Sequence, residues 1–160
     1  LDLLLKAMAD CRIKEKQIKL LIAGEFYEDP AIYDEIIKTY QLEDSVIIKN
    51  EFIASDEVKY YFCASDLVAQ TYHTATQSGV SQIAYHFEIP MLVTNVGGLA
   101  EIVPHLKVGY VTEREPSNIA TYINDFFEHN RAPEFIENIK IEKKRFSWEN
   151  VTSGIKRLLS

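Results

Sequence analysis

Residues Thr76–Val103 read TQSGVSQIAYHFEIPMLVTNVGGLAEIV, and this stretch decides the fold. It runs as a glycine-containing turn, a helix, a proline, a buried strand, and a second glycine turn that opens a short helix. A helix that begins at Ser78-Gly79 presents unpaired backbone N–H groups and the positive end of its dipole, which suits a phosphate. The apolar run Met91-Leu92-Val93 is short and bounded by turn signals, as expected of a strand buried on both faces. Asn95, Gly97 and Gly98 permit the tight turn after it, because glycine reaches positive φ at little cost. This is the layout of a ligand crevice at the carboxyl ends of parallel strands.

Working outward, further strand-like runs fall at Lys19 to Ala23, Val46 to Lys49, Leu67 to Gln70 and Val108 to Thr112. Helical patterns lie between them at Ala31 to Tyr40, Ser55 to Cys63 and Gly79 to Phe87, with Ser55 placed as an N-cap. Strand–helix alternation implies an α/β fold: a Rossmann-like open parallel sheet with helices on both faces. After Thr112 the pattern turns helical, over Pro116 to His129, from Pro133 toward Lys144, and from Ser147 through Leu159. No internal repeat or linker divides the chain, so residues 1–160 are read as one domain. Leu1, Leu3, Leu4 and Leu5 look like the middle of a helix, which suggests a fragment of a longer chain.

Composition narrows the chemistry. The chain has 160 residues, 47% of them hydrophobic and 26% charged, which is ordinary globular usage. A formal net charge of −7 argues against nucleic acid as a partner, because phosphate affinity comes from clustered Lys and Arg. Lys140, Lys143, Lys144 and Arg145, with Glu142 interleaved, read first as a solvated helix face and second as a patch for an acidic membrane surface. Cys11 and Cys63 have neither metal nor redox spacing and are expected to fill apolar gaps in a reduced, cytoplasmic protein. The four histidines show no metal spacing, so no metal is expected. Ser78-Gly79 is not a nucleophile elbow, and no G-x-G-x-x-G follows a strand, so no dinucleotide cofactor is expected. Tyr60, Tyr61 and Phe62 read as packing groups. Phe52 has two readings, core or base-facing. The turns at Gly24-Glu25, Ser78-Gly79 and Gly97-Gly98 are expected at one end of the sheet.

Several of these segments resemble a known family. Leu20 to Glu25 is similar to an LxIxGxG strand and turn, and Val46 to Ile53 to a VxFxGxV strand. Ala64-Ser65-Asp66-Leu67 stands where that family has its "AD" element, and Ile89 to Val103 resembles xPVVxxxVGGxxEIV. Phe146-Ser147-Trp148-Glu149 resembles the FsWe segment before the closing helix. These residues resemble the C-terminal, donor-binding half of family 4, or group 1, retaining glycosyltransferases of the GT-B fold.

The resemblance implies that Leu1 to Ala9 follows a first strand that lies outside this chain, along with the N-terminal acceptor domain. It also implies binding of a nucleoside-diphosphate sugar, with transfer in polysaccharide or glycan synthesis. Main-chain groups at Ser78, Gly79 and Val80 would take the diphosphate. Thr76 or Gln77 would meet the sugar, Gln82 and Ile83 would stand at the ribose, and Phe52 and Ile53 would face the base. The turns at Gly24, Glu25, Gly97 and Gly98 would support them. The family's two motif glutamates fall at Ala75 and Ile83, neither acidic, and Glu88 replaces a frequent glycine. No catalytic residue is therefore assigned. The rival reading is a degenerate, non-catalytic GT-B domain that acts as a scaffold or partner-binding module.

Overall fold

The computed structural model describes residues 1–76 and 78–146. Gln77 and the closing helix expected from Ser147 lie outside the described residues. Five strands alternate with helices: β1 (Leu20–Ala23), β2 (Val46–Lys49), β3 (Val68–Gln70), β4 (Met91–Thr94) and β5 (Gly109–Thr112). The helices are α1 (Asp2–Met8), α2 (Cys11–Glu15), α3 (Ala31–Tyr40), α4 (Val58–Cys63), α5 (Gly79–His86), α6 (Leu99–Ile102), α7 (Pro116–Glu128) and α8 (Ala132–Glu142).

All strand pairs are parallel, as the alternation predicts. The ladder comes in two pieces, however: a half-sheet β1-β2 and a half-sheet β3-β4-β5. Strand β4 is the centre of the second piece and is buried along its whole length. Its Leu92 joins one apolar cluster with α1, α3 and α7, while Met91 and Val93 join another with Ala84 and Tyr85 of α5 and Leu99 of α6. Helices therefore cover both faces there. Gly109 has no alternative at the start of β5, since a Cβ would fall 1.8 Å from the Met91 carbonyl oxygen.

Among the described residues, the first half-sheet is covered on one face only. Leu20, Ile22, Val46 and Ile48 pack against the α1–α3–α7 cluster, and the alternating residues Leu21, Ala23, Ile47 and Lys49 are exposed.

Three local expectations need correction. Ser55 is not an N-cap: residues 55–57 form a turn closed onto the Ala54 carbonyl, and α4 begins at Val58 with no side-chain cap. Both cysteines are exposed rather than filling apolar gaps. Tyr60 is exposed beneath the Lys59 ammonium, although Phe62 does pack, stacked on Phe87 with centroids 5.7 Å apart. The short helix α2 was not foreseen; the Asp10 carboxylate accepts its Arg12 N–H at 2.9 Å.

The basic cluster is a paired surface. Lys143 bonds Glu88, Lys140 bonds Glu137, and Arg145 bonds Glu142. Glu88 lies in the left-handed region with φ +60°. It ends α5 in a Schellman-type turn in which the Ile89 N–H reaches the Ala84 carbonyl at 2.9 Å. That geometry explains why glycine suits the position.

Candidate nucleotide-sugar site

The expected site gathers where β3 runs into α5. Ser78 precedes the helix in extended backbone, φ −135° and ψ 123°, and its hydroxyl makes no capping hydrogen bond. Instead Ser78 Oγ lies 3.5 Å from the Tyr72 hydroxyl, and the residue is buried. The ordinary reading of a serine cap therefore fails. Among the described residues, the N–H groups of Gly79 and Val80 have no hydrogen-bond partner. Gly79 is exposed and Val80 half-buried, so these donors stand at the surface at the positive end of an eight-residue helix.

The approach loop is held from four directions. Thr94 Oγ1 at the end of β4 donates to the Tyr72 carbonyl at 2.7 Å. Arg114, just past β5, donates from its guanidinium to the His73 carbonyl at 3.1 Å. Gly98 donates its N–H to the Thr76 carbonyl at 3.2 Å. His73 Nε2 lies 2.8 Å from Asp2 Oδ1 at the start of α1. Burial would raise the Asp2 carboxyl, but hydrogen bonds from His73 and the Leu3 N–H hold it below its ordinary value. The ends of β4 and β5 and the starts of α6 and α1 thus hold residues 72–76, which lead toward the start of α5.

Gly97 makes this closeness possible. A Cβ there would fall 1.6 Å from the Ala75 carbonyl oxygen, and its φ is +52°. The 97–98 turn therefore packs directly on residues 75–76, as the shared-edge expectation requires. The Gly24-Glu25 turn belongs to the other half-sheet. Gly24, at φ +123°, donates to the Lys49 carbonyl at 3.1 Å, and the neighbouring Phe26 N–H bonds Asn50 Oδ1 at 3.0 Å, so this turn is tied to the end of β2.

The other expected residues distribute as follows. Thr76 and Gln82 are exposed, Ile83 is half-buried, and Gln77 lies outside the described residues. Phe52 is 74% exposed, which removes its core reading, and Ile53 beside it is half-buried. Two residues were missed. Arg114 has no carboxylate within 4 Å among the described residues and lines an open pocket with His73, Glu113, Glu115 and Asn118. Its signal was its place immediately after a strand end. Gln70, buried at the end of β3, looked in sequence like one more strand residue. Among the described residues no group of three or more His, Cys, Asp or Glu could hold a metal ion. Nor is any helix among them long and apolar enough to cross a membrane.

Comparison with known proteins supports the fold. HepE from Anabaena, solved in complex with UDP, superposes with a TM-score of 0.79 at 25% identity, covering 98% of this chain and 44% of HepE. Its complex with UDP-glucose gives 0.77 at 26% identity over the same shares. The C-terminal domain of the group 1 glycosyl transferase LpcC from Francisella tularensis shares the fold, with a TM-score of 0.78 at 17% identity over 89% of this chain and 76% of that domain. This chain spans under half the length of HepE. No curated protein matches it in sequence. The family described as glycosyl transferases group 1 matches residues 1–144, and the chain belongs to that family.

Proposed function

We propose that this chain is the donor-binding domain of a glycosyltransferase that moves a sugar from a nucleoside-diphosphate sugar to an acceptor, in polysaccharide or glycan synthesis. One observation carries the reading: the Gly79 and Val80 N–H groups, without a partner among the described residues, stand at a helix start, and residues 72–76 before it are held by Thr94, Arg114, Gly98 and Asp2. Retaining transfer needs the departing diphosphate stabilised as its charge grows. Fixed main-chain donors do this without titrating or reorganising. Ser78, Gly79 and Val80 would hold the diphosphate, Thr76 and Gln77 the sugar, and Gln82 and Ile83 the ribose. Phe52 and Ile53 would stand at the base, which fits the exposure of Phe52.

The split sheet supports a further element from the same protein. Helix α1 packs between α3, which shares an apolar cluster with β1-β2, and α7, which packs on β4 and β5. It therefore lies over the division between the half-sheets, and it leads into β1. A right-handed parallel crossover puts the strand before α1 next to β1, on the side away from β2. That strand would join β1 to β3 and complete a doubly wound sheet, with its strand-order switch beside the α5 donors. The acceptor would come through a separate N-terminal domain, and the present chain alone would be inactive.

Exposed, unpaired Cys11 and Cys63 fit a reducing, cytoplasmic setting. Peripheral association of the whole protein with an acidic membrane would use the surface cluster of Lys140, Lys143, Lys144 and Arg145, exchanging weak surface pairs with Glu137, Glu88 and Glu142.

A second reading keeps its own observation: the motif positions Ala75 and Ile83 carry no carboxylate. On that reading the domain is a non-catalytic scaffold. Incubating the full-length protein with a panel of sugar nucleotides and following hydrolysis or transfer separates the two. Turnover of one donor supports the enzyme, and tight nucleotide binding without turnover of any donor favours the scaffold.

A further inference from the structure

Beneath the proposed diphosphate seat lies a polar side chain that the fold has sealed in. Gln70, the last residue of β3, is 2% exposed, and its Oε1 accepts a hydrogen bond from Ser81 Oγ at 3.1 Å. Ser81 is wholly buried and sits in the first turn of α5, so the Gln70 side chain reaches the turn that carries the Gly79 and Val80 N–H groups. Its Nε2 has no acceptor among the described residues.

Strands of parallel sheets packed against helices carry apolar side chains, as Val68 of β3 and Met91 and Val93 of β4 do nearby. A buried amide donor without an acceptor is costly, and such groups gather where function demands them. The Gln70–Ser81 pair also ties the end of β3 to the helix start by a bond that an apolar residue could not make. We propose that Gln70 is a positioning residue for the donor diphosphate. Through Ser81 it fixes the first turn of α5, and its buried amide donor adds positive potential under the anion in a water-poor setting. This rests on the donor-site reading above.

The test is a calorimetric titration of the full-length protein with UDP, GDP and ADP, each paired with its own nucleoside. The tightest pair is then repeated on Gln70→Glu, Gln70→Leu and Ser81→Ala. Gln70→Glu keeps an acceptor for Ser81 but replaces the amide donor. It is expected to weaken the nucleoside diphosphate about tenfold while the nucleoside binds as before. Gln70→Leu, which loses both ends, should do at least as much, and Ser81→Ala should cost about threefold with the same selectivity. Parallel losses for nucleotide and nucleoside, or no loss for either, would overturn the proposal and leave Gln70 a packing residue. Should a Gln70 variant fail to melt cooperatively, the diphosphate-to-nucleoside ratio of Ser81→Ala decides between the same two outcomes. If the unaltered protein binds none of the three nucleotides, the donor-site reading itself fails and takes this inference with it.

Discussion

The two half-sheets use the same strand type to different ends. In β3-β4-β5 the middle strand is buried on both faces, and the loops after its strands pack on one another at the proposed donor site. In β1-β2 every second side chain is exposed, and the loop after β1 is tied to the end of β2 and, through Glu28 and Tyr33, to α3. Burial on both faces fixes a strand in place and lets the turns beyond it be set closely enough to act together. A half-sheet covered on one side supplies frame and surface. The difference teaches where to look for chemistry: at the ends of the strands buried between two layers of helices.

The largest expected effect breaks that rigid half directly. Leu92→Ala should cost about 2–5 kcal/mol, because it opens a cavity between two packed layers. Leu21→Ala in β1, at a position 37% exposed, should cost less than about 1 kcal/mol. Denaturant unfolding of both variants checks the contrast, and equal losses would erase it.

Next comes Gly97→Ala, which forces a strained φ and drives a methyl into the Ala75 carbonyl. It should cost roughly 2 kcal/mol or more and displace the loop before α5, so nucleotide affinity should fall with stability. Thermal melts alongside nucleotide titration read both effects.

Gly79→Pro sharpens the comparison by separating binding from folding. Proline is welcome at the first helical position, and the extended Ser78 before it is the conformation proline requires. The substitution removes one N–H and little else. Melting should stay where it was, while nucleoside-diphosphate affinity drops about tenfold.

The smallest effect lies at the edge of the site half. Glu88 carries left-handed strain, and the Lys143 ammonium bonded to it holds its carboxyl below the usual value. That pairing contributes stability above the unfolded carboxylate range, and the contribution fades as pH falls through the lowered value. Glu88→Gly should relieve about 1 kcal/mol of strain at neutral pH against an exposed ion pair of smaller worth. Melts from pH 7 downward should show a modest gain and a shallower acid slope.

Much of this was legible in the residues, and the failures have physical causes. Met91-Leu92-Val93 announced a doubly buried strand because a continuous apolar run has no polar face to offer water. Gly97-Gly98 announced a tight turn, and Gly97 takes the left-handed φ of +52° there. The resemblance carried the family. Ser55 misled because a serine before acidic residues serves a turn as readily as a helix start, and the Ala54 carbonyl took the first bonds. Phe52 could not be assigned, since burial is decided by what packs above a residue rather than by its neighbours in the chain. Gln70–Ser81 and Arg114–His73 join residues far apart in sequence, and side-chain bonds of that kind leave no periodic trace. The division of the sheet was equally invisible, because each strand alone reads as complete.

Backbone amide shifts at Gly79 and Val80, followed while UDP, GDP and ADP are titrated into the protein, test the central claim most directly. The account predicts that with at least one nucleotide these two amides move furthest, and that inorganic pyrophosphate moves them in the same direction. Millimolar nucleotide that leaves both amides still, or that moves only residues far from the start of α5, would contradict it.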